Sequence, residues 1–403
     1  MSQQTLSPLK RSIVGVQFMF VAFGSTVLVP LLVGFDPAIA LLAAGLGTLL
    51  FHAVTGGKVP IYLGSSFAFI APIIKATELY GLSGMFCGLV AVGLVYILMS
   101  FLVKLFGVNF IKKLFPPIVI GPVIILIGLS LAGTGVDMAS KNWILALVSL
   151  FVAIICSCWG KGMIKLIPVV FGALAGYIVA VIFYRNSMDF SGVANAPWFQ
   201  LPHFSKMSLS WQAIVFMAPV AIAPIIEHVG DVYAISEIAG KDFVKDPGLH
   251  RTMLGDGLAC TLAAFLGGAP VTTYSEVTGA VSLTKVTDPA CMRIAALSAI
   301  LISLVGKVGA AIQTIPTAVL GGIMLLLFGS IASVGINNLV KAQIDMNKTR
   351  NLIIASLILT IGIGGAVISF GKFSLAGIGL ASVVGVILNL IIPDKKETEE
   401  VNS

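Results

Sequence analysis

AIAPIIEHVGDVYAISEIAG (residues 221–240) and MLGDGLACTLAAFLGGAPVTTYSEVTGAVSLT (residues 253–284) set Glu227, His228, Asp231, Asp256 and Glu276 among apolar residues. An ionisable side chain at bilayer depth is costly, so it usually faces a partner, a cavity or a substrate path. Whether these five lie at such a depth depends on the chain around them. Of its 403 residues, 58% are hydrophobic and only 10% charged, and the mean hydropathy is +1.06. A soluble domain carries about 25% charged residues. Apolar runs of about 20 residues, enough to span a bilayer as helix, recur throughout. The fold class is therefore an all-α polytopic membrane protein; a β-barrel would show short alternating strands instead.

The net charge of +7 does not indicate a nucleic-acid partner, because the basic residues are scattered in short loops. The five cysteines, Cys87, Cys156, Cys158, Cys260 and Cys291, fall in predicted spans and read as helix-packing residues. They form neither a metal spacing nor a disulfide framework. Lys10 and Arg11 precede a long apolar run with no small-residue cleavage site, which reads as the first span rather than a signal peptide.

Hydropathy divides the chain into about fourteen segments. They lie near 12–34, 38–55, 60–76, 82–103, 110–133, 142–159, 166–184, 211–235, 252–268, 270–284, 289–306, 314–336, 351–369 and 374–392. With an even number of spans, 18 of the 24 Lys and Arg residues fall on the side of both termini and 6 on the other. That asymmetry places both termini in the cytoplasm. The tail DKKETEEVNS is a solvated end, and Trp198, Phe199 and Trp211 around the longest outer loop suit an interfacial belt.

Residues 115–136, FPPIVIGPVIILIGLSLAGTGV, and 315–336, IPTAVLGGIMLLLFGSIASVGI, share Pro116/Pro316, Gly121/Gly321, Ser130/Ser330 and Gly135/Gly335 at an offset of 200. These are the fifth and twelfth segments. An odd number of spans per repeat runs the two copies in opposite directions, the inverted-repeat plan of many secondary transporters. The same shift pairs the third segment with the tenth. Both are short and rich in Gly, Ser, Thr, Pro and aromatics, and paired interrupted segments point to a binding site near the midplane. It also pairs the first segment with the eighth, bringing Gln17, Gly24 and Ser25 toward Glu227.

Glu227 and Asp231 stand one helical turn apart on one face. Two carboxylates so close in low dielectric should not both be ionised, which is a proton-binding arrangement. His228 points about 100° away from Glu227 and suits a packed, hydrogen-bonded role at least as well as a ligand-facing one. Glu276 lies where Gly268, Pro270 and Gly279 interrupt regular helix, so it can accept N–H bonds while nearby amides donate. Asp256 in LGDGL reads as a structural residue, a cap or a loop contact. In the third segment Ser65, Ser66, Phe67 and Phe69 offer hydroxyls and an aromatic face. Such a site has acceptor carboxylates, backbone donors and an aromatic wall, but no Lys or Arg. It suits a planar, neutral molecule with alternating N–H and C=O groups. No GxxxxGK[ST] loop is present, so the energy source is an ion gradient. Protons fit the carboxylates, with sodium as the alternative. No cofactor, metal site or enzymatic motif is indicated.

YLGSSFAFIAP, IEHVGDVYA, KDPGLHRTMLGDGL, TTYSEVTG and IPTAVLGG closely resemble the nucleobase–ascorbate (nucleobase:cation symporter-2) family, nearest its bacterial uracil permease branch. The similarity runs from the FGSTVLVP of the first span to the last. The resemblance implies fourteen spans in two inverted repeats of seven, with short strands in segments 3 and 10. It implies a core domain from residues 12–103 and 211–313, a gate domain from 104–210 and 314–392, and a cytoplasmic tail, 393–403. It further implies uracil import by proton symport across the inner membrane, elevator-like movement of core against gate, and a homodimer. Carried over residue by residue, Glu227 and Glu276 bind the base. Phe67, Tyr274 and Ser275 complete the substrate site, Phe67 and Ser275 through their backbone amides. Asp231 and Glu227 serve proton coupling. His228, Ser66, Thr273, Phe328 and Ser25 are expected in support. Asp231 stands where that branch has histidine, Phe328 where it has tyrosine, and VTTYSEV where its pattern is NTTYGEN. These departures keep open a purine (xanthine, urate or hypoxanthine) cation symporter on the same fold. An anion exchanger or channel of similar architecture is the more distant reading.

Overall fold

Local sequence sets several helix starts. The structure, a computed structural model, describes residues 7–202, 204–273, 275–370 and 373–392. Ser7 caps α1 (Pro8–Val33) and Asp36 caps α2 (Pro37–Val54), each followed by proline at the first helical position. Proline costs nothing there, because that N–H has no intrahelical partner. The chain then makes a three-residue strand, β1 (Leu63–Ser65), and a tight turn over Phe67–Phe69 that leads into α3 (Ile70–Phe106). At Gly81 the backbone turns left-handed (φ 70°, ψ 165°), bending α3 where the third and fourth predicted segments meet.

The fifth segment is broken more than its hydropathy indicates. Pro116 and Pro117 separate α4 (Val108–Leu114) from α5 (Pro117–Ser130), and α6 (Ala132–Ser140) follows. Next come α7 (Trp143–Trp159), capped by Asn142, then α8 (Met163–Leu166), α9 (Pro168–Phe183) and, in the long loop, α10 (Ser191–Asn195). After α11 (Trp211–Met217) and a tight turn, the opening stretch forms α12 (Ile222–Ala239). It continues through α13 (Leu249–Leu266), β2 (Val271–Thr273) and α14 (Ser275–Thr284). Asp288 caps α15 (Pro289–Ser303) and pairs with Arg11 at the start of α1, 2.7 Å away. After α16 (Gly306–Gln313) come α17 (Thr317–Lys341) and α18 (Thr349–Ile363).

The predicted thirteenth and fourteenth helices do not run to 369 and from 374. An antiparallel hairpin, β3 (Val367–Phe370) with β4 (Phe373–Ala376), stands between α18 and α19 (Gly377–Ile391). Gly364 and Gly365 end α18, and β-branched Val367 and Ile368 extend the chain. Cys158 also departs from expectation: it is exposed on α7, whereas the other four cysteines are buried.

Six described helical runs are long and apolar enough to cross a membrane: Pro8–Val33, Pro37–Val54, Phe67–Phe106, Pro117–Ser140, Trp211–Ala239 and Thr317–Lys341. The pair α15–α16, bent by 84°, makes a seventh if taken as one span. Four shorter apolar helices, α7, α9, α18 and α19, accompany them. The molecule is a multi-pass membrane protein.

Glycines let the helices approach closely. A Cβ at Gly93 of α3 would lie 2.7 Å from the Gly257 carbonyl of α13, and one at Gly257 would lie 2.9 Å from the Gly93 carbonyl. Between α5 and α17 the same happens at Gly121 and Gly335, while Gly128 meets Ala332. Residue numbers rise on one helix as they fall on the other, so α5 and α17 are antiparallel. Around β1 and β2, α2 packs on α13 and α15, α13 on α3, and α15 on α1; α17 gathers α5, α6 and α7.

Candidate functional site

The site is built on two interrupted segments. β1 and β2 pair antiparallel, with Leu63 opposite Thr273, Gly64 opposite Thr272 and Ser65 opposite Val271. Two three-residue strands cannot hold themselves, so neighbouring helices satisfy their edges. The Leu63 N–H donates to Thr48 Oγ1 of α2 at 2.9 Å. On the other side, Cys260 Sγ donates to the Val271 carbonyl at 3.1 Å, and the Thr273 N–H donates to Asp256 Oδ2 at 2.8 Å. Cys260 and Asp256 are one turn apart on α13, the spacing that lets one helix face serve two positions of a strand.

Each strand is followed at once by a helical start. Ser66 caps the turn Phe67–Phe69, and α14 begins at Ser275. Two helix N-termini therefore open beside the strand pair, each with the positive end of its helix dipole. Glu276 lies in the first turn of α14, where that dipole favours a carboxylate.

A cavity of about 620 Å³ adjoins this crossing. One wall holds Ser66, Phe67, Thr272, Thr273, Glu276 and, from α12, Glu227; Phe20 and Val21 of α1 join it. The opposite wall comes from Ile124 and Ile127 of α5 and Leu326, Leu327 and Ser330 of α17. Glu227 and Glu276 are both half-buried. Phe67 is buried and meets Phe328 of α17 edge to face, ring centroids 6.0 Å apart at 87°. The cavity extends past Leu283 and Val334 to Lys165, all exposed, toward the ends of α14 and α17.

Of the sequence-predicted site residues, Glu227, Glu276, Phe67, Ser66 and Thr273 line one cavity. Asp231 is buried one turn beyond Glu227, outside that lining, and Ser25 is buried in α1. Phe328 stands behind Phe67. Tyr274 and the Ser275 side chain lie outside the described residues, as does the tail from 393. The expectation of a site without Lys or Arg needs correcting, because Lys165 lines the open end. Its charge was assigned to a loop by topology, and only the packing of α8 brings that loop to the cavity.

His228 takes the packed, hydrogen-bonded role of its two readings, and Asp256 is structural, though not as a cap or a loop contact. Asp256 neither caps α13 nor contacts a loop; with His228 it forms a buried pair at 2.9 Å, both side chains fully shielded. His228 Nδ1 also faces Thr273 Oγ1 at 2.7 Å, and Nε2 faces Thr252 Oγ1 at 2.9 Å. Sequence could flag each residue as a polar group in an apolar run, but not that separations of 28 and 17 residues close into one network.

Long apolar helices around a half-buried acidic cavity at two broken segments define a membrane transporter fold. Solved structures share it. The murine Solute Carrier 26 family member A9 anion transporter, in the inward-facing state, aligns with a TM-score of 0.68 at 13% identity, over 96% of this chain and 69% of that one. The transmembrane domain of a cyanobacterium bicarbonate transporter, BicA, aligns with a TM-score of 0.57 at 17% identity, over 96% and 99%. At such identities the likeness is one of fold alone. The particular family follows from sequence. The Permease family matches over residues 9–370, and the chain belongs to it, among the nucleobase–ascorbate transporters. It is 50% identical to the "Probable uracil permease" of Pasteurella multocida over 96% of this chain and 95% of that protein. It is 45% identical to the uracil permease of Bacillus caldolyticus and 41% identical to that of Escherichia coli K12. Each comparison covers 95% of this chain and 92% of the relative. These relatives are permeases, not enzymes.

Proposed function

We propose that the protein imports uracil across the inner membrane by proton symport. The observation that carries this reading is the convergence of Glu227 and Glu276, from separate elements, on one cavity beside Phe67 and two helix N-termini. Uracil is flat and alternates N–H donors with carbonyl acceptors around its ring. Carboxylates accept from its N–H groups, and backbone amides at Phe67 and Ser275 donate to its carbonyls. The ring lies against Phe67, whose rotamer Phe328 holds. Tyr274 completes the site. Asp231 tunes or carries the coupled proton from its buried position behind Glu227.

The finer architecture belongs to the same proposal. Counting each interrupted segment as a crossing makes fourteen, in two inverted repeats of seven. The antiparallel packing of α5 on α17, and the proline that caps each of them, Pro116 and Pro316, support that reading. Residues 12–103 and 211–313 then form a core, and 104–210 and 314–392 a gate, which pairs two copies into a homodimer. The core moves against the gate like an elevator. Lys165 shares its side of the membrane with Lys285 and Lys341, the side with the basic excess, so the cavity opens to the cytoplasm and both termini lie there.

Radiolabelled uracil uptake by cells lacking their own uracil carrier tests this, at acid and neutral pH, with and without a proton uncoupler. Saturable uptake that rises at acid pH and collapses with uncoupler is expected. Uptake that follows a sodium gradient and ignores the uncoupler overturns the proton assignment. No uptake by protein present in the membrane overturns the substrate.

A further inference from the structure

We propose that His228 is a positioning residue of the transport site: through Asp256 it holds β2, and with it the start of α14. The hydrogen bonds leave little freedom in how this network is protonated. Thr252 Oγ1 lies 3.0 Å from the Leu249 carbonyl, which can only accept, so the hydroxyl proton is used there. Thr252 must then accept from His228 Nε2, which carries a proton. At the other end, Nδ1 lies 2.9 Å from Asp256 Oδ2 and 2.7 Å from Thr273 Oγ1. A bare Nδ1 facing an ionised carboxylate at that distance would oppose two lone pairs.

One proton between Nδ1 and Oδ2 removes the conflict. The Thr273 hydroxyl then donates to Asp256 Oδ1 at 3.1 Å, and the Thr273 N–H to Oδ2. Every polar atom in the set is satisfied, and the pair is neutral overall. Neutrality matters because a lone charge in this dry interior would be strongly destabilising. Tyr96 of α3 closes the outer side, its ring edge-on to His228 with centroids 6.4 Å apart.

The position of the network gives it its role. Neither His228 nor Thr252 lines the cavity, whereas Thr272, Thr273 and Glu276 do. Asp256 takes the Thr273 amide on the edge of β2 away from β1, so the side-chain pair does the work of a third strand. Losing His228 leaves Asp256 buried without its proton-sharing partner, and the carboxylate must turn or take up water. β2 then loses its outer fastening. This inference rests, for its effect on transport, on the reading that Glu276 and β2 contact the base.

Purified full-length protein and its His228→Gln, Thr252→Val, Thr252→Ser and Glu276→Gln variants test it, read by hydrogen exchange of peptides covering residues 271–276 and by uracil Kd. His228→Gln is expected to speed exchange there and to raise Kd by about tenfold or more, the loss of one charge-assisted hydrogen bond. Thr252→Val should move both readouts the same way, and Thr252→Ser should restore them, although neither side chain reaches the ligand. Unchanged exchange at 271–276 in both His228→Gln and Thr252→Val overturns the proposal, as does faster exchange with unchanged Kd. A wild-type protein that binds no uracil, or a Glu276→Gln variant that binds it normally, defeats the substrate reading instead. The exchange measurement then still decides whether His228 positions the strand.

Discussion

Glu276 and Glu227 differ from the other acidic residues of the opening stretch in one respect: both reach the cavity. A carboxylate there only accepts hydrogen bonds, whereas glutamine presents an NH2 group that would confront a ring N–H. Glu276→Gln should therefore lower uracil uptake at least tenfold, about the worth of one hydrogen bond to a charged group. Competition by unlabelled xanthine should strengthen in the same variant. Wild-type uptake, with equal protein in the membrane, would remove Glu276 from the site. Both glutamates stood out as candidates by type and position, and Phe67 by the family resemblance; all three line the cavity. The partnership of His228 with Asp256 was not, because it depends on how far each helix is rotated about its axis.

At the scale of elements, the strand pair survives because α2 and α13 press against it. A Cβ at Gly47 of α2 would lie 2.8 Å from Val271 Cγ2 and 3.1 Å from the Ala259 Cβ. Gly47→Val should displace β2, costing about 1–3 kcal/mol of stability as overpacking usually does, and weaken uracil binding with it. Val271→Ala in the same protein should return part of both losses. Thermal melting and uracil titration of the two single variants and the double variant measure this coupling. Fully additive effects would separate Gly47 from the strand. The two broken segments stood out in the sequence by their Gly, Pro and hydroxyl content. The β3–β4 hairpin did not, since Val367, Ile368 and Phe370 continue an apolar run and hydropathy does not distinguish strand from helix.

For the whole molecule, the clearest test concerns movement between the two groups of helices. Gly24 of α1 faces Val169 of α9, and a Cβ built at Gly24 lies 3.7 Å from the Val169 Cβ. Bridged cysteines keep their Cβ atoms about 3.8 Å apart. Gly24→Cys with Val169→Cys should therefore cross-link on oxidation. Cys158, the exposed native cysteine, is replaced by Ser so that it does not compete. If the core slides against the gate, oxidation should abolish uptake and a reductant should restore it. Full uptake by quantitatively cross-linked protein would rule out that movement.

By itself the sequence determined the membrane class, the family, the two interrupted segments and the carboxylates worth testing. These follow from local quantities: hydropathy summed over about 20 residues, residue type, and motif order. The tertiary structure alone decided that Asp231 stands behind the cavity that Glu227 and Glu276 line, that Lys165 reaches its open end, and that His228, Asp256, Thr252 and Thr273 close on one another. A hydrogen bond holds over only about 3 Å. Its partners are fixed by the depth and rotation of several helices at once, and the sequence of no single segment contains that information.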